Sequence, residues 1–424
     1  MALRHRLAAA LTLLTLVWDS SGAPLDASGQ EPRSSLAAGF ELAYNLDHDA
    51  AIETFAQIIA SRPDDPAGYR SIAAVTWLRI LFLRGDFLTD NYLTGSMNRT
   101  PDEIEEPPAA LAATFHEHLE RATELAEAAV RRAPGDPTAH YELGVAAALN
   151  ASYRGSVLGE RLGALAPARR AYAAHRKVLE IDPSRAEAKL LVGLYRYVVA
   201  SMPLGLRWMA YLMGFDGGKE EAIELVAEAA AAPGEIQAEA RFALVLLYNR
   251  ERRFARARRV LDQLRRTFPR NRLVWLETAS AWLRDDRPAM AELTLAHGFA
   301  ALQGDERRRM FGEDGMWHLK RGTARAALGL AGEARLDLGR AARAPAAPWV
   351  IGRAHLELGK LADLAGERTR ARDHYARGRD LCGEAGDHGC ERAAGRLRIR
   401  PYTGADASGA PPVRRHRHGR RGRR

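Results

Sequence analysis

One feature limits this chain more than any other: a pattern of small, apolar and proline positions returns at a fixed interval of about 34 residues. Between Arg241 and Pro269, Leu244, Val245 and Tyr248 fall on one face of a first helix, and Arg250-Glu251-Arg252-Arg253 forms a charged turn. Ala257, Leu261 and Leu264 follow on a second helix, and Pro269, which cannot continue a helix, closes the unit. Shifting the frame by one period finds Trp275, Thr278, Ala279 and Trp282, then Pro288 at the opening of a helix carrying Ala291, Leu295 and Gly298. A helix pair of this kind cannot bury its apolar face alone. It must stack on copies of itself, so the period predicts an array rather than a globule.

The same template fits the rest of the chain. Gly39, Leu42, Ala51, Phe55, Ile58 and Pro63 make the first unit. The helix at 66–83 pairs with Ala122, Ala126, Ala129 and Pro134. Leu143 and Gly144 pair with Ala171, Val178 and Pro183, and Gly193 with Ala222, Val226 and Ala229. Gly322, Ala334, Leu338 and Ala341, then Leu358, Gly359, Ala362, Ala371, Tyr375 and Gly378, make the last two. The phrases at 62–66, 133–137 and 181–183 each place Asp or Pro where one helix stops and the next starts.

On these residues the chain resembles the tetratricopeptide family, whose unit has Trp, Leu-Gly and Tyr, then Ala, Phe and Pro at matching spacing. The resemblance implies an all-α fold, a right-handed α-solenoid of about eight helix-turn-helix units over residues 24–401. It also implies an inner groove lined by the first helix of each unit. Arg70, Trp77, Tyr141, Tyr197, Phe242, Asn249, Arg250 and Arg284 fall there and are the expected partner-binding residues. The Lys and Asn cluster with which some members grip a C-terminal carboxylate has no counterpart, so an apolar peptide or helix is the expected occupant.

Three units carry insertions between their two helices. The first, 84–108, holds Phe87, Tyr92, Leu93 and Met97 before the acidic run 102–106. The second, 150–166, is Gly-rich with Tyr153 and Arg154. The third, 200–219, is largely apolar, with Trp208, Met209 and Tyr211, and Arg207 is the single charge between Met202 and Phe215. Equivalent loops of a solenoid share an edge, so Tyr92, Tyr153, Trp208, Met209 and Tyr211 define an expected insertion edge. Two readings stand: a mouth or lid for a ligand, or side chains that fill a widened groove. The third insertion could pack inside, seize a partner helix, lie on a membrane or carry an apolar ligand or lipid. Its order, a helix, Met202-Pro203-Leu204 and then Gly214-Phe215-Asp216-Gly217, faintly resembles the tetratricopeptide-39 family.

The two ends are set apart. Residues 1–23 read as an export signal: Arg4, His5 and Arg6 precede the apolar stretch 7–17, and small residues follow at 20–23. That stretch is short for a bilayer span, and either cleavage or retention as an anchor is compatible with it. The expected location is therefore outside the cytoplasm, in a periplasm or cell envelope. Residues 402–424 read as a disordered basic tail. The net charge is +9, and removing the seven Arg of 414–424 leaves +2 for the remainder, so the basicity is local. The tail suits an anionic envelope surface; it has no interleaved aromatic for base stacking, and no specific nucleic acid is expected.

Motifs of catalysis were sought. No Walker pattern or Gly-x-Ser-x-Gly elbow occurs, and His116-Glu117-His118 lacks zinc-protease spacing. The expectation is a non-enzymatic scaffold with no cofactor. Cys382 and Cys390, separated by a Gly-rich turn, are the only cysteines. In an exported chain a disulfide is expected, with a metal site shared with His374 and His388, or two free thiols, as alternatives.

Overall fold

The computed structural model describes residues 36–94, 104–202, 207, 218–234 and 236–404. Residues 1–23, the expected export signal, and the Arg-rich tail lie outside them, as do Trp208, Met209, Tyr211 and nearly all of the segment that resembles the tetratricopeptide-39 family. Among the described residues there is no strand, and no helix is long and apolar enough to cross a membrane.

The helices pair as the period predicts. They are α1 (Leu36–Tyr44) with α2 (His48–Ser61), α3 (Pro66–Arg84) with α5 (Ala109–Arg132), and α6 (Pro137–Ser152) with α7 (Leu165–Ile181). Then come α8 (Ala186–Ala200) with α9 (Lys219–Ala231), α10 (Ile236–Arg250) with α11 (Phe254–Thr267), and α12 (Arg272–Arg284) with α13 (Pro288–Leu302). α14 (Glu313–Ala327) precedes α15 (Ala331–Ala341), α16 (Pro348–Leu364) packs on α17 (Arg368–Glu384), and α18 (His388–Ile399) follows. The first insertion adds the short α4 (Thr89–Thr94). In the second, α6 runs on into a single π-turn, Tyr153–Val157. The chain divides into two compact units, the first ending at Glu313 and the second starting at Asp314.

Local chemistry sets the boundaries. Asp65 and Asp136 accept from the amides of Ala67 and Thr138, each at 2.9 Å, with proline as the first helical residue. Each cap satisfies a donor that a helix start leaves open, and proline there removes another. The recurrent glycines allow the two helices of a unit to touch. A Cβ at Gly39, Gly144, Gly322 or Gly359 would come within 3 Å of Phe55, His175, Leu338 or Tyr375.

First and second helices differ in how they are buried. α11 buries only Ala257, Leu261 and Leu264, a single stripe, whereas α3 buries residues around its whole circumference. Full burial of α3, α6, α8 and α10 requires cover on their inner faces as well. A single apolar core runs through the first unit from Leu36 to Ala281. Part of that cover comes from the first repeat touching the fifth and sixth. Tyr44 packs on Phe242 and Phe268 at 5.5 and 5.2 Å between ring centres, and its hydroxyl donates to the buried carboxylate of Glu239. Asn271 donates to the Tyr44 carbonyl at 2.7 Å, the Arg270 amide donates to Asn45 at 3.0 Å, and Asp47 pairs with both Arg270 and Arg307.

In the second unit, Cys382 and Cys390 form a disulfide, Cα atoms 5.8 Å apart, that ties α17 to the start of α18. Asp387 lies beside the sulfurs but caps α18 through the Cys390 amide and pairs with Arg353 at 2.7 Å. The sulfurs are bonded to each other, His374 is bonded to His355 and His388 to Glu391, so the alternative Cys and His metal set is not assembled.

Candidate binding surface on the inner face of the first unit

The first insertion turns inward at Gly85, which ends α3 with φ +73° and sits where a Cβ would meet the Phe311 carbonyl at 2.4 Å. Only glycine fits that conformation and that approach. Asn91 then braces the turn, donating to the Gly85 carbonyl at 3.0 Å and to Asp86 at 3.2 Å. The short α4 is thereby laid against α10 and α12.

Its contacts are polar at one end and apolar at the other. The Thr89 amide donates to Glu277 at 2.6 Å. Asp90 accepts from Arg284 at 2.9 Å and from Ser280 at 3.4 Å, and Arg284 also donates to the Asn249 side chain at 2.8 Å. Burial works against the Arg284 charge, but Asp90 and Glu277 outweigh it and leave its pKa raised. Beneath α4, Trp77, Leu81, Leu88, Tyr92, Phe242 and Val274 help to line an apolar cavity of about 90 Å³ that Glu277 and Asn271 edge.

The structure thus sorts the expected groove residues into three groups. Asn249 and Arg284 hold α4, and Phe242 lines the cavity beneath it. Arg70, Trp77, Tyr141 and Tyr197 are fully buried. Arg70 grips Glu142 through two nitrogens at 2.6 and 3.2 Å, Trp77 donates to Ser156 at 2.9 Å, and Tyr197 donates to Glu251 at 2.7 Å. Tyr141 stands edge-on to His175. Arg250 is partly buried at the end of α10. Of the insertion edge, Tyr92 joins the cavity, whereas Tyr153 is buried in a stack on Phe115 with ring centres 4.0 Å apart.

Ser280 falls on the expected groove stripe, whereas Thr89, Asp90 and Glu277 were not among the expected site residues. The available signal was weak: an Asp-Asn pair beside Phe87, Leu88, Tyr92 and Leu93, and a Glu on α12.

The sequence pattern that defines the tetratricopeptide repeat matches residues 238–281. Residues 238–281 therefore carry a tetratricopeptide repeat. The matched stretch covers most of α10, all of α11 and most of α12, the part of the array that no insertion interrupts. No curated protein matches the chain. Among solved structures, human IFIT1 bound to m7Gppp-AAAA is similar at 12% identity and TM-score 0.42, over 94% of this chain and 87% of that one. Yeast Tom70 is similar at 15% identity and TM-score 0.33, over 86% and 89%. A tetratricopeptide repeat protein of Parabacteroides merdae gives 13% and 0.31, over 74% and 94%. A repeat of this kind belongs to a class that presents concave binding surfaces, and the inner face of the first unit holds α4 of the same chain.

Proposed function

We propose that this protein is a non-catalytic scaffold of the cell envelope that binds a segment of a partner protein on the inner face of α10 and α12, in the place that α4 occupies. The observation that carries this reading is the docking of α4. A short helix is held there by the Asp90 carboxylate, which accepts from Arg284 and Ser280 while Asn249 braces Arg284, with apolar residues beneath it. A site shaped around such a helix accepts a partner segment with an acid at the corresponding position and aliphatic or aromatic neighbours. The segment 1–23 directs export in this reading, and the Arg-rich tail at 414–424 holds the chain near an anionic surface by charge.

The test uses a labelled peptide copying residues 85–94 and the full chain with residues 87–94 replaced by a Gly/Ser stretch of equal length. Fluorescence anisotropy is expected to show saturable binding that Arg284→Glu abolishes. Circular dichroism confirms that both proteins keep their helix content. Binding that ignores Arg284→Glu would overturn the proposal. Fractionation of cells expressing the chain with and without residues 1–23 tests export separately.

The cavity beneath α4 favours a second reading, a carrier of a small apolar ligand or lipid. Native mass spectrometry of the purified chain decides it: a retained apolar ligand that Val245→Phe displaces supports a carrier, and a bare mass contradicts it.

A further inference from the structure

The second unit has an arginine-rich cleft that the scaffold reading does not use. It is open to about 370 Å³ and lies between α15, α16 and α17, where Gly339, Ala342 and Ala362 leave room between the helices. Arg335 enters from α15, Arg343 from the turn after it, Arg370 and Arg377 from α17, and the only acid among the lining residues is Glu367. Glu367 is shared, 3.6 Å from Arg335 and 3.3 Å from Arg370. Among the described residues Arg343 and Arg377 have no carboxylate partner. At the floor, His355 and His374 face each other with their Nδ1 atoms 2.9 Å apart, so one ring donates and the other accepts.

The groove between α11, α12 and α13 shows what arginines at a comparable place do when they are structural. There Arg258 pairs with Asp285 at 2.8 Å and lies 3.8 Å over the Trp282 ring. Arg265 pairs with Asp262 at 2.6 Å and lies 4.7 Å over Trp275. Arg258 and Arg265 each have a carboxylate and an aromatic ring to rest on, whereas Arg259 on the same groove has neither among the described residues. The α15–α17 cleft lines itself with four guanidinium groups and two imidazoles against one carboxylate, and no aromatic ring other than the two imidazoles lines it. Arg343, Arg370 and Arg377 are exposed at the cleft, and guanidinium groups lining one cleft can each bind two oxygens of a tetrahedral anion. We propose that this cleft is a binding site for a phosphate-class oxyanion, with Arg343 and Arg377 as its principal ligands and His374 as a proton-sensitive donor.

The groups facing His374 are Arg335 from α15, Arg343 from the turn after it, His355 from α16, and Glu367, Arg370, Asp373 and Arg377 from α17 and its first turn. Burial lowers the pKa of His374, and Arg370 and Arg377 lower it further. His355 is lowered to about 4 by burial, then by His374 and Arg377. An anion among these groups offsets the cationic part of that effect, so binding should raise the titration midpoint of His374. By linkage, affinity should rise on acidification.

The experiment uses the full chain with histidine side chains labelled for NMR, titrated with inorganic phosphate, with pyrophosphate, and with vesicles of phosphatidylcholine with or without phosphatidic acid. The expected result is a saturable shift of the His355 and His374 signals, with affinity at least tenfold weaker in Arg343→Ala/Arg377→Ala. The Arg-rich tail is intact in that variant, so the difference reports the cleft. Arg343→Lys/Arg377→Lys keeps the charge and should recover part of the affinity. A response to free phosphate identifies a soluble ligand. A response confined to phosphatidic acid vesicles, with the same arginine dependence, identifies a lipid headgroup. Histidine signals that do not move, or binding that the double substitution leaves unchanged, would overturn the proposal.

Discussion

Substituting Asp90 by Ala tests how α4 is held. Asp90 is 3% exposed and faces Arg284, whose side chain is 17% exposed, across 2.9 Å. Removing one partner of a buried pair costs about 3–5 kcal/mol, because the remaining charge keeps its desolvation penalty. Among the apolar contacts, Leu88, the residue before α4, is 2% exposed, and its burial is worth about 1.5–3 kcal/mol. The ion pair is therefore at least as large a part of the docking as the aliphatic contact. A loss of about 3 kcal/mol raises the local opening constant by about 100-fold. Hydrogen exchange of the full chain read by mass spectrometry should show that acceleration in the segment 86–94. The Thr89 amide is the most direct reporter, since its protection is the bond to Glu277. Exchange in α6 and α7 should be unchanged, which separates undocking from global unfolding. Arg284→Met on the same background removes the stranded cation and should restore part of the protection. Acceleration below about threefold, or equal acceleration in α6 and α7, would refute the assignment of Asp90 as the anchor of α4.

Other perturbations probe the frame around that site. Arg70→Met should destabilise the first unit by about 3–5 kcal/mol in urea denaturation, and Arg70→Met/Glu142→Leu should recover most of it; singles that simply add would contradict a coupled buried pair. Glu239 is buried and its pKa is raised well above the usual carboxylate value by desolvation. The folded state favours its neutral form, so its contribution is lost as pH rises through the raised folded-state value. Glu239→Gln should therefore be more stable than the parent at pH 8 and flatten the pH dependence, measured as the urea midpoint. His175, buried against Tyr141, is lowered to about 4 by burial. The folded state favours the neutral ring, so stability present above pH 6.5 should fall between pH 6.5 and 4, and less steeply in His175→Gln, as followed by thermal melts.

The repeat was legible because its signals are local. Proline, a capping Asp, a glycine on the first helix and an Ala or aromatic on the second act within about 34 residues, and each is visible in a short window. Gly144 against His175 and Gly359 against Tyr375 are the geometry that the pattern anticipates. The fate of the inner face was not legible, since it depends on contacts between residues far apart in sequence. Asp90 and Arg284 are 194 positions apart, and Tyr44 and Glu239 are 195 apart. Arg70 shows the consequence: its position on the first helix of a unit is the one that lines an open groove, yet here Glu142 opposes it in the core. A charged residue on an inner stripe looks the same in sequence whether it meets solvent, a partner or a carboxylate of its own chain.

The occupied inner face sets a condition on any partner that binds there. A segment entering between α10 and α12 must first displace α4, so its apparent affinity is the intrinsic one reduced by the population of the undocked state. With α4 held by no less than the roughly 3 kcal/mol assigned to Asp90, that reduction is at least about 100-fold, and a contact of nanomolar strength would read as about 0.1 μM or weaker. The same arithmetic makes Asp90 a control point: weakening its hold should tighten partner binding without touching a residue the partner contacts. Thr89 and Tyr92 of α4 also line the apolar cavity, so whatever lifts α4 further exposes the Trp77, Phe242 and Val274 side of it in the same movement. Partner capture and ligand entry are thus alternatives governed by one short helix, and a partner that leaves the cavity uncovered would forgo the burial that keeps α4 in place.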